Sequence, residues 1–200
     1  MMQEDLVDKA LNTSNKEEIS ILSKNNDSEV RQSIACNENT SRNILEELST
    51  DHSEDVRMVV AENDNTPPEI LEALSTDSST HVRCRVALNR SANQSALEIL
   101  SNDDDNYVRT CVGDNLNTPV SVLEALSLEE DSNIRQGVAR NTKITVELFN
   151  KLAIDEDEWV RIDVARNSAT PLGVLDLLAK DESELVRERV IENLEKRKIN

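Results

Sequence analysis

The chain has 200 residues, of which 37% are apolar and only 2% aromatic, and it carries a formal net charge of -18. That acidity disfavours nucleic-acid phosphates and anionic membranes as partners and keeps a chain soluble. Lean, charged composition can mean disorder, but here the apolar residues recur at fixed places, so the charge reads as the solvated surface of an ordered array. No stretch approaches the length of apolar sequence that spans a bilayer. The start, Met1-Met2-Gln3-Glu4-Asp5, lacks a basic segment followed by an apolar run, so no secretory leader is expected. Cys36, Cys84 and Cys111 are odd in number, far apart and without a CxxC pair. They argue against a disulfide framework and for a reducing compartment, with the cytoplasm as the expected location.

Arg31, Arg57, Arg83, Arg109, Arg135, Arg161 and Arg187 lie 26 residues apart. Asn37, Asn63, Asn89, Asn115, Asn141, Asn167 and Asn193 keep the same interval, as do Leu22, Leu48, Leu74, Leu100, Leu126, Leu152 and Leu178. A fixed period of this size marks a stacked array of helical or strand units. A stack is one continuous body, so the expectation is a single repeat domain over 1–200. Within it, 1–21 reads as an irregular N-terminal cap, 22–177 as six full repeats, and 178–200 as a C-terminal half repeat and cap.

In chain order, Leu6, Val7, Ala10 and Leu11 predict a short amphipathic helix out of register with the rest. Ser14 to Leu22 matches the second helix of a repeat, with Ile19 where Leu71 sits. The clearest repeat predicts a first helix over 54–62. Ser53 precedes it, and Asp27, Asp105, Asp131 and Asp157 fill the same place elsewhere; both residue types cap orphan N–H groups. Val56, Val60 and Ala61 form an apolar stripe, and Gly113 at the place of Ala61 points to close helix approach. Asn63 predicts a helix end, either in the left-handed conformation or through side-chain bonding to loop backbone. Thr66-Pro67 predicts the start of the second helix, with Thr as N-cap, Pro in first position and Thr66-Pro67-Pro68-Glu69 as a capping box. Thr118-Pro119 and Thr170-Pro171 repeat the signal, whereas Ala92-Asn93 and Ile144-Thr145 depart from it. Ile70, Leu71 and Leu74 are the buried face, and Phe149 takes the place of a core Leu. Two helices of about nine residues make each unit, too short to be stable alone. The last unit runs through Val186, Val190 and Ile191 into a polar end, Glu195-Lys196-Arg197-Lys198. No segment alternates with the period of a strand.

The joint spacing D-x-x-x-x-V-R-x-x-V-A-x-N-x-x-T-P-x-x-x-L-x-x-L, clearest in Asp51–Leu74 and Asp155–Leu178, resembles the leucine-rich repeat variant family, whose repeats are related in style to HEAT and armadillo repeats. The resemblance covers about Ser14 to Leu194. It implies an all-α fold: a right-handed α-solenoid, or superhelix, of about seven two-helix repeats, in which one helix of each pair can be 3₁₀. One family member carries a cysteine-rich segment holding an iron–sulfur cluster. Cys36 stands alone here, so no cofactor carries over. The family has no shared catalytic site to transfer.

The Arg ladder reads as inter-repeat structure, because Asp27, Asp105, Asp131 and Asp157 lie four residues before Arg31, Arg109, Arg135 and Arg161, within reach on one helix. Acidic loops of the adjacent repeat are further partners. The competing reading is a basic stripe. The Asn ladder reads as helix-end and loop bonding. The acidic runs Asp103-Asp104-Asp105, Glu129-Glu130-Asp131 and Asp155-Glu156-Asp157-Glu158 read as a solvated, helix-capping edge. A weak calcium site or a basic protein partner is the functional alternative, and no EF-hand loop is present.

The positions that vary are more informative for function. On the first helices the face of Asp55, Val59 and Glu62 becomes His81/Arg85/Leu88, Tyr107/Cys111/Asp114, Asn133/Gly137/Arg140, Trp159/Asp163/Arg166 and Leu185/Arg189/Glu192. The sole Tyr and the sole Trp share one register position with His81. Trp, Tyr and Arg are the residue types of binding hot spots, so His81, Arg85, Tyr107, Arg140, Trp159, Arg166 and Arg189 are the candidate partner-binding face. The bland alternative is that Tyr107 and Trp159 cover grooves between neighbouring helices. Cys111 beside Tyr107 is a candidate thiol, though more in keeping with a small buried filler.

The leading expectation is a non-catalytic protein–protein interaction scaffold. The alternative is a nucleic-acid-binding, HEAT-like solenoid using Trp159, Arg140, Arg166 and Arg189, which the net charge opposes because phosphate binding needs a basic footprint. No enzyme is expected. His52 and His81 are the only histidines and occupy different register positions, and three glycines leave no phosphate loop. No metal site is expected. The expected partner is a protein, with a basic one suiting the acidic surface; neither nucleic acid nor membrane is expected, and the chain is expected to be a monomer.

Overall fold

The computed structural model describes residues 3–199, so the reading of Met1-Met2 lies outside the described residues. The chain forms two compact units, Met1–Leu100 and Ser101–Asn200. The first holds α1 (Gln3–Asn12), α2 (Lys16–Leu22), α3 (Ser28–Cys36), α4 (Arg42–Leu48), α5 (Glu54–Glu62), α6 (Pro68–Leu74), α7 (Thr80–Leu88) and α8 (Gln94–Leu100). The second holds α9 (Asn106–Asp114), α10 (Val120–Leu126), α11 (Ser132–Arg140), α12 (Val146–Leu152), α13 (Glu158–Arg166), α14 (Leu172–Leu178) and α15 (Glu184–Ile199). Among the described residues there are 15 helices and no strand.

Within each unit the first helices of successive repeats stack: α1 on α3 on α5 on α7, and α9 on α11 on α13 on α15. The second helices lie between, as α4 touches both α3 and α5, and α12 touches both α11 and α13. This is the regular packing of a helical-repeat solenoid. The core follows from the stripe in the sequence. Val56, Val60 and Ala61 are fully buried, as are Val30, Ile34 and Ala35 a repeat earlier and Val160, Val164 and Ala165 later. Leu45, Leu71 and Leu97 close the core of the first unit, and Leu123 and Phe149, at the same register position, that of the second.

The first helix α5 spans the expected residues. The aspartates before α3, α9, α11 and α13 cap them: the backbone N–H of Tyr107 donates to Asp105 Oδ1 at 2.8 Å and that of Trp159 to Asp157 Oδ1 at 2.8 Å. Ser53 stands at the N-cap of α5 without a side-chain bond.

Three local expectations change. The second helices have seven residues, not about nine, because α6 begins at Pro68 with Pro67 as its N-cap and no capping box forms. Thr66 faces the other way: buried, it donates through Oγ1 to the Val60 carbonyl at 2.6 Å. Thr40, Thr118 and Thr170 repeat this bond to Ile34, Val112 and Val164, each at 2.6 Å. The Val60 carbonyl thus accepts both this hydroxyl and the Asn63 N–H, which closes the last turn of the first helix. Next, the cap Asn63 is extended, with φ -66 and ψ 122, and no described residue outside glycine has positive φ. Finally, the second helices are α-helical rather than 3₁₀; 3₁₀-type bonds occur at their ends, where the Ile70 N–H donates to the Pro67 carbonyl at 3.0 Å and the Ser75 N–H to the Glu72 carbonyl at 3.2 Å.

The expected close approach is present in the second unit. A Cβ at Gly113 would lie 2.9 Å from the Gly137 carbonyl carbon, and one at Gly137 would lie 2.5 Å from the Thr110 carbonyl oxygen. Bare backbone at both positions lets α9 and α11 meet. The N-terminal helix α1 stacks on α3 as a first helix does, but one residue out of register. Asn37 reaches 27 residues back, to the Ala10 carbonyl, where later repeats reach 28. No helix of the described residues is long and apolar enough to cross a membrane.

Candidate protein-binding face

Both ladders are used inside the stack. Arg31 Nε donates to Asp51 Oδ2 at 2.7 Å and Nη2 to Asp51 Oδ1 at 2.9 Å, a two-pronged bond to the next repeat. Arg57 grips Asp77 at 2.6 and 3.0 Å, Arg135 grips Asp155 at 2.8 and 2.8 Å, and Arg161 grips Asp181 at 2.8 and 3.2 Å. Nη1 donates to the carbonyl six residues back in all seven copies, from Arg31 to Asn25 at 2.7 Å through Arg83 to Asp77 at 2.9 Å and Arg187 to Asp181 at 2.6 Å. The partner is therefore the aspartate 20 residues ahead, not the one four residues before, which is occupied in capping. Planar guanidinium and carboxylate match as a fork, which a monodentate pair on one helix cannot do. The Arg31 guanidinium holds the Asp51 carboxyl below its ordinary range, against the opposing effect of burial. At Asp77 burial pushes upward, but Arg57 and the Ser79 N–H outweigh it and the net direction is down.

One rung differs. Glu129 stands where Asp51, Asp77, Asp103, Asp155 and Asp181 stand in other repeats, and its Oε1 lies 3.6 Å from Arg109 Nε, which is buried and has no hydrogen-bond partner. Arg109 Nη2 turns instead to Asn106 Oδ1 at 2.6 Å.

The Asn ladder works through backbone. Asn141 Nδ2 donates to the carbonyls of Gly113 and Asn115, both at 2.9 Å, and Asn141 Oδ1 accepts from the Lys143 N–H at 2.9 Å. Asn63, Asn89, Asn167 and Asn193 bond the Ala35, Ala61, Ala139 and Ala165 carbonyls at 2.6 to 2.8 Å. Asn115 Oδ1 accepts from its own loop, at the Asn117 N–H. Each such bond adds about 1 kcal/mol net and satisfies a carbonyl that would be costly to leave bare.

What remains for function is the variable face. In the first unit His81 is exposed on α7, and half-buried Arg85 places Nη1 3.6 Å from Glu62 Oε1 on α5. An open groove of about 770 Å³ runs along the same face of α3 and α5, lined by Ser33, Cys36, Val59, Glu62 and loop asparagines. In the second unit Tyr107, Trp159 and Leu185 occupy one register position on α9, α13 and α15 and are 62%, 54% and 41% exposed. Cys111 and Gly137, next on this face, are buried between first helices; Cys111 is thus a filler.

Two cations of the face, Arg140 and Arg189, are held by carboxylates. Arg140 Nε and Nη2 bond Asp114 Oδ1 and Oδ2 at 2.8 and 2.9 Å, and Nη1 bonds Asp163 Oδ2 at 3.1 Å. Burial pushes the Asp163 carboxyl up, against the pull of Arg140 and Arg166. Arg189 is paired with Glu192, and Arg166 is exposed at the end of α13. The structure thus brings Arg140 together with two carboxylates, not with a cluster of other cations. Asp114 sits at the register position of Arg140 one repeat earlier, so the period could have disclosed the pair. Among the described residues no group of three or more His, Cys, Asp or Glu could hold a metal ion.

Among solved structures, one described as "a leucine-rich repeat variant with a novel repetitive protein structural motif" is similar at a TM-score of 0.62 and 24% identity, covering 91% of this chain and 72% of that one. An engineered protein matches at 19% identity over 96% of this chain and 88% of its own, with a TM-score of 0.33 that carries no argument. No protein-family model matches the chain, and no curated protein does. Paired short helices, the 26-residue period and this likeness agree: the chain has the fold of a leucine-rich repeat variant.

Proposed function

We propose that the chain is a non-catalytic protein–protein interaction scaffold whose contact face is the variable row of the first helices. The observation that carries this reading is the exposure of Tyr107, Trp159 and Leu185 at one register position. Large side chains of this kind, standing proud of a rigid scaffold, are suited to anchoring a partner. A protein partner is favoured over nucleic acid because the Arg140 guanidinium is already shared between Asp114 and Asp163 and the chain carries a net charge of -18, a poor footprint for phosphate. The two histidines sit at different register positions, His52 in a loop and His81 on α7, an arrangement that offers no repeated catalytic pair. Three cysteines joined by no disulfide suit a reducing compartment such as the cytoplasm. The scaffold is read as a monomer.

The test is affinity capture from a cytoplasmic lysate at two salt concentrations, with wild type beside a Tyr107→Ala, Trp159→Ala, Arg166→Ala triple variant whose helicity is checked by circular dichroism. A protein captured by wild type and lost from the variant supports the face. Equal capture by both places the contact elsewhere. Nucleic acid captured instead, and released steeply by salt, overturns the reading.

A further inference from the structure

We infer that the second-helix side of residues 101–200 docks a basic amphipathic helix. The first residues of α10, α12 and α14 are Val120, Val146 and Leu172, which are 39%, 53% and 61% exposed. The same register position in the first unit holds Lys16, Arg42, Pro68 and Gln94. Eight residues further on, Leu128 and Ile154 are 73% and 72% exposed, flanked at the same register position by Asn102 and Lys180, where the first unit has Lys24, Thr50 and Thr76. Ile154 and Leu177 line an open groove of about 410 Å³ between the ends of α12 and α14. Apolar side chains exposed singly need no explanation, but two parallel rows on one side of one unit mark a contact surface.

The charge around these rows selects the occupant. Glu124, Glu147 and Asp176 are exposed between them, and Glu156 and Glu182 rim the groove. Glu156 and Glu182 lie 3.7 and 3.8 Å from Arg135 and Arg161 with side chains 90% and 92% exposed, so these pairs are loose and leave the carboxylates open to a second cation. Lys151 and Lys180 are the opposing charges. A second copy of the chain is a poor occupant, since it brings the same net charge of -18 and like charges facing each other are costly. A partner with aliphatic residues among lysines or arginines fits.

Spacing favours a helix. The repeats of this unit stack through their first helices, α9 on α11 on α13 on α15, and packed helices lie roughly 8–10 Å apart, which sets about that interval for Val120, Val146 and Leu172. A helix rises about 1.5 Å per residue, so residues seven apart are about 10.5 Å apart on one face. A helix laid across α10, α12 and α14 meets one row residue with every seventh side chain. Gly173, beside Leu172, has nothing within 4 Å of where its Cβ would be, leaving bare backbone for close approach.

The full chain is titrated into a fluorescent lysine-rich peptide of roughly 20 residues with leucines seven apart, and into the same peptide with serine for leucine. The leucine peptide is expected to bind at least about tenfold tighter, a difference of about 1.4 kcal/mol. A Val146→Ser, Ile154→Ser, Leu172→Ser variant, altered only at exposed positions, erases that preference, whereas Tyr107→Ala with Trp159→Ala leaves it intact. Equal binding of the two peptides, or a preference that survives the triple variant, overturns the proposal. So does sedimentation showing that the wild type self-associates and the variant does not, because the occupant is then a second copy.

Discussion

The two units share a frame and differ in what they show to water. Both run Arg to the next repeat's carboxylate, Asn to the preceding repeat's carbonyls and Thr to the end of its own first helix. On the second-helix side, the first unit opens its helices with Lys16, Arg42, Pro68 and Gln94 and the second with Val120, Val146 and Leu172. On the first-helix side, Glu29, Asp55 and His81 give way to Tyr107, Asn133, Trp159 and Leu185. The frame positions are those whose side chains bond across or within repeats, and they vary little, with Glu129, Ala92 and Ile144 as exceptions. The positions between them are free, and it is there that the second unit concentrates its exposed apolar and aromatic groups.

If the frame is shared, equal lesions should cost alike. Leu45→Ala and Leu123→Ala remove fully buried side chains at one register position in the two units, and each is expected to cost about 2–5 kcal/mol in urea unfolding followed by circular dichroism. A negligible cost at one of them would break the comparison. A smaller effect separates the units. Gly137→Ala places a methyl 2.5 Å from the Thr110 carbonyl oxygen, and overpacking of this kind costs about 1–3 kcal/mol. Val59, at the same register position in the first unit, is half-buried without glycine, so Val59→Ala should cost less. If both changes are neutral, the α9–α11 approach is not a tight one. The smallest effect is a gain: Glu129→Asp gives Arg109 the shorter carboxylate of the other rungs and should stabilise by up to about 1 kcal/mol. A loss of stability there would show that the Asn106 bond had already replaced the missing rung.

Much of this frame is readable from the period alone, because residues that bond across repeats must recur with the repeat. The span of α5, the buried Val56, Val60 and Ala61 stripe and the close approach at Gly113 follow from it. The partner of each Arg does too, since an aspartate stands 20 residues after Arg31, Arg57, Arg135 and Arg161. A local rule hides it by drawing the eye to the aspartate four residues before. Thr66 misleads for a similar reason: Thr-Pro looks like a helix start, while the buried hydroxyl is better used six residues back. Asn63 adopts extended backbone, not a left-handed cap, because its amide must reach the neighbouring repeat. On the candidate face, Tyr107 and Trp159 can be placed on one row from spacing. The Arg140–Asp114 pair is legible from their shared register position, whereas the bond from Arg140 to Asp163, 23 residues ahead, needs the stacking geometry.

The rungs also constrain how such a chain can change length. Arg135 reaches 20 residues forward and Asn141 reaches 26 and 28 residues back. Inserting or removing one whole 26-residue period between two stacked repeats returns each donor to an equivalent acceptor, whereas a shorter change misaligns both ladders at once. The chain can therefore be lengthened or shortened by duplication or excision of complete units. Removal of residues 132–157 should leave helicity per residue unchanged, and removal of half that number should not.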